Sequence, residues 1–584
     1  MPGHRKAGLA PTLPRPLNHT NVRLSGKLAV AVAVGLALLA AALLLYLSRH
    51  LSFWWDEWTW ILERRGDTLQ TYFRPHNLEQ WSTVPIAIYH LLFRTVGIGS
   101  YAPYMATLVA IHAINGLLLF AVLRRRVGSE IALGATALLL FLGSAYQDLL
   151  WAFQVGYLAS ISLGLGALLL LDVDRPARRR QVAAGILLLL SVASSGVGLT
   201  WCAAIFVEGM LRSDRWRVLP ALTLPLAGYV LWDILFGPRQ GRQALIDAIT
   251  SGPAFVMAGL LHLAAGLSGL GSGAGAAVLA LAFAAVAWAA YRRPLSARAW
   301  GALAGLLLFY GLVAVIRSQL GIEQADESRY IYPGAVFALI IVAEAARSLR
   351  VHRSGAMRLV AAGIVAVFIS GNLSYFVTPT TTWWHLRLEG QTGQLSAAYL
   401  VRHVPGVDGT APIDPGQLPY VDLLPWTEAV DQLGRPAGVL EEAALDHAAP
   451  EVRGAADQTL VRLFAHELLA GPVGVLTGQA RVRAADGVTV NADGTACSIV
   501  RSASGLVDLD SRAGNSLSLA ASGGKLALRV YVAHFAPFQT GASIPVTVGE
   551  SAASLHLPNV PGWAWAVRIE APPGSVIRVC GGSN

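Results

Sequence analysis

The stretch SFWWDEWTW, residues Ser52–Trp60, comes directly after the first long apolar segment of the chain. Its four tryptophans are typical of a membrane–water interface, where indole rings collect. The two adjacent acids, Asp56 and Glu57, are unusual at that depth, because a carboxylate near hydrocarbon is unfavourable unless it has a partner or a task. The stretch therefore predicts a membrane protein with a functional acidic pair at the membrane surface.

The composition agrees with a membrane protein. The chain has 584 residues, of which 54% are hydrophobic and 14% charged, and its mean hydropathy is +0.52. These values exclude a soluble globular protein and indicate a chain surrounded by membrane lipids. The net charge of +9 comes from arginine clusters between apolar segments rather than on one soluble face, so no nucleic-acid partner is expected.

Apolar segments predict a polytopic α-helical membrane protein with about eleven spans. Nine single spans are expected, at 28–48, 103–123, 131–149, 151–172, 217–236, 274–291, 301–318, 331–347 and 357–377. The segment 182–211 is interrupted at residues 194–196 and is expected to form two short helices that meet near the outer surface. In a rival interpretation 182–211 is one span and 253–270 is another; we favour 253–270 as a helix on the outer surface.

The arginine clusters also predict the orientation, because cytoplasmic loops are enriched in Lys and Arg. Residues 1–27 are then a basic cytoplasmic tail, and residues 28–377 form the membrane domain with a long first outer loop at 49–102. Residues 378–584 form an extracytoplasmic α/β domain that is β-rich from about 480, where short strands between turn residues predict a β-sandwich. The chain is expected in the plasma membrane. Cys497 and Cys580 form a disulfide if this domain is exported.

The acidic pair and two later elements resemble the GT-C glycosyltransferases, membrane enzymes that take sugars from polyprenyl-phosphate carriers. Asp56-Glu57 matches their first-loop acidic motif in position and type. The segment 74–77 and Gly97 are similar to the elements that come after that motif in the family. Residues 327–330 look like a late Arg-Tyr element, and residues 146–148 with Gln154 look like a second-loop element of related actinobacterial proteins. The resemblance covers residues 28 to about 377.

The resemblance implies an inverting transfer of sugar from a polyprenyl-phosphate donor to an extracytoplasmic envelope glycan or glycolipid. A carboxylate suits the base that takes the acceptor's proton, and arginine suits the leaving phosphate. We assign Asp56 as the base, and Glu57 could exchange roles with it. The expected donor-phosphate residues are Arg329, Tyr330, Arg74 and Arg239, with Arg242 as a further candidate. The expected substrate-binding residues are His76, Asn77, Glu79, Asp148 and Gln154.

Other interpretations stay open at this point. The helix break at 194–196 would suit a lipid or glycan transporter or flippase, although no charged pair in mid-span accompanies it. A non-catalytic envelope assembly protein would use its exported domain to bind polymer. A divalent cation could assist the transfer, but His76 and Glu79 are too few ligands to predict a metal site.

Overall fold

The computed structural model describes residues 26–583 except 77–79, 174, 213–217, 238–241, 349–354, 378, 417, 469–480, 484–485, 495, 523, 537–542 and 550–551. Nearly all of the predicted basic tail therefore lies outside the described residues. The first part of the chain is helical. Its helices are α1 (Gly26–Leu47), α2 (Asp56–Glu63), α3 (Leu69–Phe73), α4 (Thr83–Thr95), α5 (Ala102–Val127), α6 (Ser129–Leu140), α7 (Tyr146–Leu150), α8 (Val155–Leu171), α9 (Arg178–Val192), α10 (Val197–Met210), α11 (Leu219–Phe236), α12 (Arg242–Ser268), α13 (Gly275–Arg292), α14 (Ala297–Arg317), α15 (Ile331–Ser348) and α16 (Gly355–Tyr375).

Ten helical segments of the described chain are long and apolar enough to cross a membrane. They confirm the predicted polytopic α-helical class. Nine of them correspond to the nine predicted single spans, and the tenth is Thr250–Ser268 within α12. The helices α2, α3 and α4 belong to the first loop and are too short or too polar to be among the ten.

The segment 182–211 forms the two short helices α9 and α10, as expected. They have 15 and 14 residues, which is roughly 22 Å each and less than the roughly 30 Å of a hydrocarbon core. The turn between them contacts the first loop, because Ala193 accepts a hydrogen bond from the backbone of Val84 at 3.1 Å. We call this end of the bundle, which carries residues 51–101, the loop side. The turn therefore packs against the first loop on the loop side of the bundle.

The opposite end of the bundle, which we call the basic side, is held by a buried network of ion pairs. Arg298 is 2% exposed, and its guanidinium donates to Glu208 at 2.5 Å and to Asp172 at 3.0 Å. Arg126 bridges Asp172 at 3.4 Å and Glu344 at 2.6 Å. These residues come from five different chain segments. Because a buried ion left without its partner is strongly destabilising, the network fixes how the basic-side helix ends meet.

Helix α12 runs along the loop side although its composition would let it cross. His262 of α12 lies 4.0 Å from Asp326, which is in the connection before α15, and the carbonyl of Gly266 accepts from Ser144 at 2.9 Å. Helix α11 ends on the loop side, where Trp232 donates to the backbone of the first loop, and only five residues separate it from α12. Such a link is too short to reach the basic side, so both ends of α12 lie on the loop side.

The C-terminal part combines helices with a β-sandwich, which confirms that predicted architecture. Its elements are α17 (Pro379–Val401), β1 (Pro412–Asp414), β2 (Leu418–Asp422), α18 (Leu423–Leu433), α19 (Glu442–Asp446), α20 (Pro450–Leu463), α21 (Ala465–Leu468), β3 (Arg481–Val482), β4 (Val488–Asp493), β5 (Cys497–Ser502), β6 (Leu506–Arg512), β7 (Asn515–Ala521), β8 (Leu526–Ala533), β9 (Ser543–Val548), β10 (Ala553–His556), β11 (Ala564–Glu570) and β12 (Val576–Ser583). One sheet has the order β10-β7-β12-β5-β4 and the other β3-β6-β11-β8-β9, while β1 and β2 form a separate antiparallel pair.

The interior of the sandwich is apolar and carries a disulfide. Cys497 and Cys580 lie opposite each other on β5 and β12 and are bonded. Trp563 and Trp565 are 5% and 2% exposed, so both rings belong to the core and neither is presented to a ligand.

The C-terminal part packs on the first loop. The backbone of Ala437 donates to Ile98 at 2.8 Å, Gln391 donates to the carbonyl of Phe53 at 2.6 Å, and the rings of Trp58 and Trp426 lie 6.4 Å apart. The contacts involve both ends of the first loop, so the C-terminal part packs against the loop side of the membrane domain.

Within the C-terminal part, one carboxylate joins the helices to the sandwich. Asp457 of α20 accepts hydrogen bonds from the backbone amides of His534, Phe535 and Ala536 at 2.7, 3.0 and 2.7 Å. Burial raises the pKa of this carboxyl group, although the three amides favour its charged form. The backbone amides of residues 534–536, in the loop after β8, therefore all depend on one side chain as their hydrogen-bond acceptor.

Replacing Asp457 by alanine should loosen this junction. Three amides then lose their acceptor, and we expect the free energy of unfolding of the C-terminal part to fall by roughly 2–4 kcal/mol. Hydrogen exchange of residues 534–536 in the full chain measures the effect. Asp446→Ala, at an exposed position of α19, is the control. Unchanged exchange at 534–536 in Asp457→Ala would contradict the assigned role.

Candidate active site

The two acids of the first loop have different environments. Glu57 is fully buried, and its carboxyl group accepts from the backbone of Trp54 at 2.9 Å, from Tyr89 at 2.6 Å and from Tyr101 at 3.1 Å. Burial raises the pKa of Glu57 to about 8, and the three hydrogen bonds oppose that rise without cancelling it. At neutral pH the side chain is therefore largely protonated, and its hydrogen bonds anchor the start of α2.

Asp56 points into a cavity on the loop side. The preceding residue, Trp55, has φ +48° and is the one non-glycine residue with positive φ in the described part of the chain. Such a backbone conformation costs of the order of 1–3 kcal/mol and persists only where the surroundings enforce it. The bonds of Glu57 to Trp54, Tyr89 and Tyr101 enforce it here. The strained turn and the anchored Glu57 together direct Asp56 toward the cavity.

The cavity encloses about 900 Å³, including its open mouth. It lies where the first loop, the α9–α10 turn and the loop-side ends of α11, α14 and α15 converge. Its lining comprises Asp56, His76, Gln80, Phe153, Gln154, Tyr157, Ser195, Gly196, Val197, Leu199, Tyr229, Phe309, Leu312, Val313, Ile316, Arg317, Arg329 and Tyr330. A carboxylate and two guanidinium groups thus share a cavity with a largely apolar remainder.

One helix supplies most of the apolar wall. Phe309, Leu312, Val313 and Ile316 of α14 occur at the i, i+3, i+4 and i+7 spacing that places side chains on one helix face. The stripe is roughly 10 Å long at 1.5 Å per residue. Arg317 closes it at the loop side. A cation therefore sits at the surface end of an apolar stripe that leads toward the bilayer interior.

The second guanidinium group is positioned by the segment just before α15. The backbone of Arg329 donates to the side chain of Gln147 at 3.1 Å, whose amide donates to Glu327 at 3.0 Å. Ser328 donates to the carbonyl of Ser144 at 2.6 Å. These bonds fix residues 327–330 against the α6–α7 connection. Asp148 is fully buried behind the cavity wall and interacts electrostatically with Arg329.

His76 forms part of the neutral polar wall. It is 2% exposed, and Trp60 donates to its Nδ1 at 3.0 Å, which assigns the ring proton to Nε2. Burial, together with the positive charges of the nearby Arg64, Arg317 and Arg74, lowers the pKa of His76 to about 3. The ring is therefore neutral across the physiological range and contributes no charge to the cavity.

Five predicted site residues line the cavity together: Asp56, His76, Gln154, Arg329 and Tyr330. Glu57 and Asp148 lie buried behind it. Arg74 is absent from the lining, being half-exposed and paired with Glu63. Asn77, Glu79 and Arg239 lie outside the described residues, as does the side chain of Arg242.

The sequence reasoning missed several lining residues. Arg317 is a basic residue at the end of a span on the side where few others occur, and that departure from the arginine pattern is a signal that could have found it. Ser195 belongs to the recognised helix break, and its hydroxyl donates to Gln80 at 3.2 Å. Nothing in their sequence surroundings marks Gln80, Tyr157 or Tyr229. In the described part of the chain no group of three or more His, Cys, Asp or Glu side chains is placed to hold a metal ion.

Comparison with known proteins gives similarity at the level of structure. No family model matches the chain, and no curated protein matches its sequence. The oligosaccharyltransferase AglB of Archaeoglobus fulgidus, solved with an inhibitory peptide and a dolichol-phosphate, is similar with a TM-score of 0.37 at 14% identity, over 62% of this chain and 58% of that one. The arabinofuranosyltransferase AftD from Mycobacteria is similar with a TM-score of 0.37 at 12% identity, over 96% of this chain and 59% of that one.

Both of these proteins are GT-C glycosyltransferases, the superfamily that the first-loop motif resembles. The chain spans about three fifths of the length of each.

The raised pKa of Glu57 predicts a pH-dependent stability. The folded protein holds the proton up to about pH 8, whereas the unfolded chain releases it near the ordinary value of about 4.5. Stability from this group is therefore fully present below pH 4.5 and is lost as the pH rises through 8, by roughly 4–5 kcal/mol at most. Glu57→Gln, which stays neutral, should remove that part of the dependence.

The measurement is the thermal midpoint of both proteins in detergent between pH 5 and pH 9. The midpoint of the wild type should fall relative to that of Glu57→Gln across this range. Parallel curves would show that Glu57 is not buried as a neutral acid. Glu63→Gln, at a half-exposed position of the same helix, is the control and should behave like the wild type.

Proposed function

We propose that this chain is an inverting membrane glycosyltransferase that moves a sugar from a polyprenyl-phosphate donor to an extracytoplasmic envelope glycan or glycolipid. The observation that carries the proposal is the shared cavity of Asp56, Arg317 and Arg329, with its apolar stripe on α14. A lipid-linked sugar needs this combination, because its phosphate stays at the membrane surface while its chain stays in hydrocarbon.

The donor fits the cavity in one direction. The polyprenyl chain lies along residues 309–316 of α14, and its phosphate lies against Arg317 and Arg329 at the surface end. Guanidinium groups bind phosphate oxygens through charge-assisted hydrogen bonds and stay charged throughout. The sugar then occupies the polar part of the cavity near Asp56 and Gln154.

The reaction is a single displacement at the anomeric carbon. The acceptor hydroxyl oxygen forms a bond to that carbon while the bond from the carbon to the phosphate oxygen breaks. Asp56 takes the hydroxyl proton as the nucleophile attacks. Polyprenyl phosphate leaves with the bonding electrons, and the two guanidinium groups stabilise its added negative charge. Attack from the face opposite the phosphate inverts the anomeric configuration.

Asp56→Asn tests the proposed base. It keeps the size of the side chain but cannot accept the proton, so transfer should fall by about 10²–10⁴-fold. The assay measures transfer from polyprenyl-phosphate sugars extracted from membranes of the source organism. Asp67→Asn, an exposed acid of the same loop, should retain activity. Unchanged transfer by Asp56→Asn would exclude this mechanism.

The same variant separates the alternatives. A transporter or flippase would retain counter-transport of lipid-linked sugar in Asp56→Asn, and the break between α9 and α10 beside the cavity would then be its hinge. A non-catalytic assembly protein would bind glycan without turnover in the wild type.

Arg317→Gln tests the proposed phosphate site. Loss of one charge-assisted contact of about 1.5–3 kcal/mol should weaken binding of polyprenyl phosphate by about 10–100-fold. The measurement is the inhibition constant of polyprenyl phosphate as a product inhibitor. Arg74→Gln is the matched control, because Arg74 is exposed and paired outside the cavity. Equal inhibition constants for wild type and Arg317→Gln would contradict the placement of the phosphate.

A further inference from the structure

A cluster of four arginines lies exposed at the basic side of the membrane domain. Arg175 precedes α9, Arg178–Arg180 form its first turn, and all four are exposed. In the part of the basic side that the structure describes, the ion pairs use other arginines. Asp172, the acid that precedes the cluster among the described residues, is already paired with Arg126 and Arg298. The four positive charges are therefore open to an anion from outside the chain.

The segment just before the cluster is held in place by two other helices. Arg125 of α5 donates to the carbonyl of Leu169 at 3.3 Å. Arg212, just after α10, donates to the carbonyl of Val173 at 2.9 Å. Because the segment is fixed before any ligand arrives, binding at the cluster orders little more than the arginine side chains.

One face of α9 is apolar and uncovered. Val182, Ile186 and Leu190 are 52%, 46% and 40% exposed, and their spacing of four residues places them in one row along the helix. Arg178 continues that row at the start of the helix. On another face a Cβ atom added at Gly185 would lie 3.1 Å from a backbone oxygen of α11, so that face is packed. The exposed apolar row thus ends in the arginine cluster.

The direction of the side chains suits a lipid. Side chains on a helix lean toward its N-terminus, so Arg178–Arg180 extend away from the apolar row and toward the basic-side surface. The methylene stems of arginine cover apolar surface while the guanidinium group stays in a polar environment. An acyl chain on the row and a headgroup at the arginines therefore have the same order along α9 as they have in a bilayer.

We propose that the arginine cluster and the apolar row bind an anionic phospholipid of the leaflet on the basic side. Its phosphate accepts charge-assisted hydrogen bonds from the guanidinium groups, and an acyl chain lies along Val182, Ile186 and Leu190. A net negative headgroup balances the cluster, whereas a zwitterionic headgroup also brings an ammonium group that arginines repel. The apolar row favours a lipid over a water-soluble acidic partner. The inference does not depend on the proposed function.

Replacing the first-turn arginines tests the proposal by binding alone, in the variant Arg178→Gln, Arg179→Gln and Arg180→Gln. The probe is phosphatidylglycerol with a fluorescent acyl chain, added to the full chain in a neutral detergent. The wild type should bind it roughly tenfold more tightly than phosphatidylcholine with the same label. Each arginine near an anionic headgroup contributes a factor of roughly five. The triple variant should therefore lose about 10–100-fold in affinity for phosphatidylglycerol and bind phosphatidylcholine as before.

Three controls define the site. The triple exchange of the same arginines for lysine keeps the charge and should keep most of the preference. The variant Arg481→Gln, Arg501→Gln and Arg512→Gln removes the same charge from exposed positions of the β-sandwich and should bind as the wild type. Arg317→Gln should also leave binding unchanged, because Arg317 lines the cavity on the loop side.

The outcomes separate the lipid site from its rivals. Equal affinity of the wild type for the two lipids would overturn the proposal, as would a triple glutamine variant with the wild-type preference. Displacement of the labelled lipid by inorganic phosphate would mean a site for free anions, and its loss in Arg317→Gln would place the lipid in the cavity. Either result would also overturn the proposal. A lipid preference in a chain that transfers no sugar would support this site and remove the proposed function.

Discussion

The buried carboxyl group of Glu57 is the constraint on which the site depends. Its bonds to Trp54, Tyr89 and Tyr101 join the start of α2 to α4 and to the beginning of α5, and they hold the turn at Trp55 in a conformation that an L-residue otherwise avoids. Asp56 owes its direction to that turn. The two acids therefore have different roles. Glu57, in its neutral form, holds the turn at Trp55 in place, and Asp56 faces the cavity.

The rest of the membrane domain supports this arrangement from both ends. Ion pairs among Arg126, Asp172, Glu208, Arg298 and Glu344 fix the helix ends on the basic side. Helices α10 and α14 both contribute side chains to that network on the basic side. On the loop side, α10 supplies the floor of the cavity and α14 supplies its apolar wall. The same helices thus carry rigid ionic contacts at one end and an open site at the other.

Much of the fold could be predicted from the sequence, because apolar length and strand alternation are local properties. The break at residues 194–196 and the β-sandwich were predictable for that reason. The different environments of Asp56 and Glu57 could not be predicted from the sequence. Neighbouring residues on a helix face directions about 100° apart, and only packing against Tyr89 and Tyr101 decides which of the two acids is buried. For the same reason the sequence pointed to Arg74 for the donor phosphate, whereas the cavity is lined by Arg317, more than 200 residues away in the chain.

The short helices α9 and α10 have a kinetic consequence. At roughly 22 Å each they are shorter than a hydrocarbon core of roughly 30 Å, and the turn between them lines the cavity. Under the proposed function the donor reaches the cavity sideways, by lateral diffusion within one leaflet. Saturation is then governed by the mole fraction of the carrier among the surrounding lipids and not by its amount per volume of solution. Diluting the membrane with inert lipid would slow such an enzyme, whereas diluting the suspension would not.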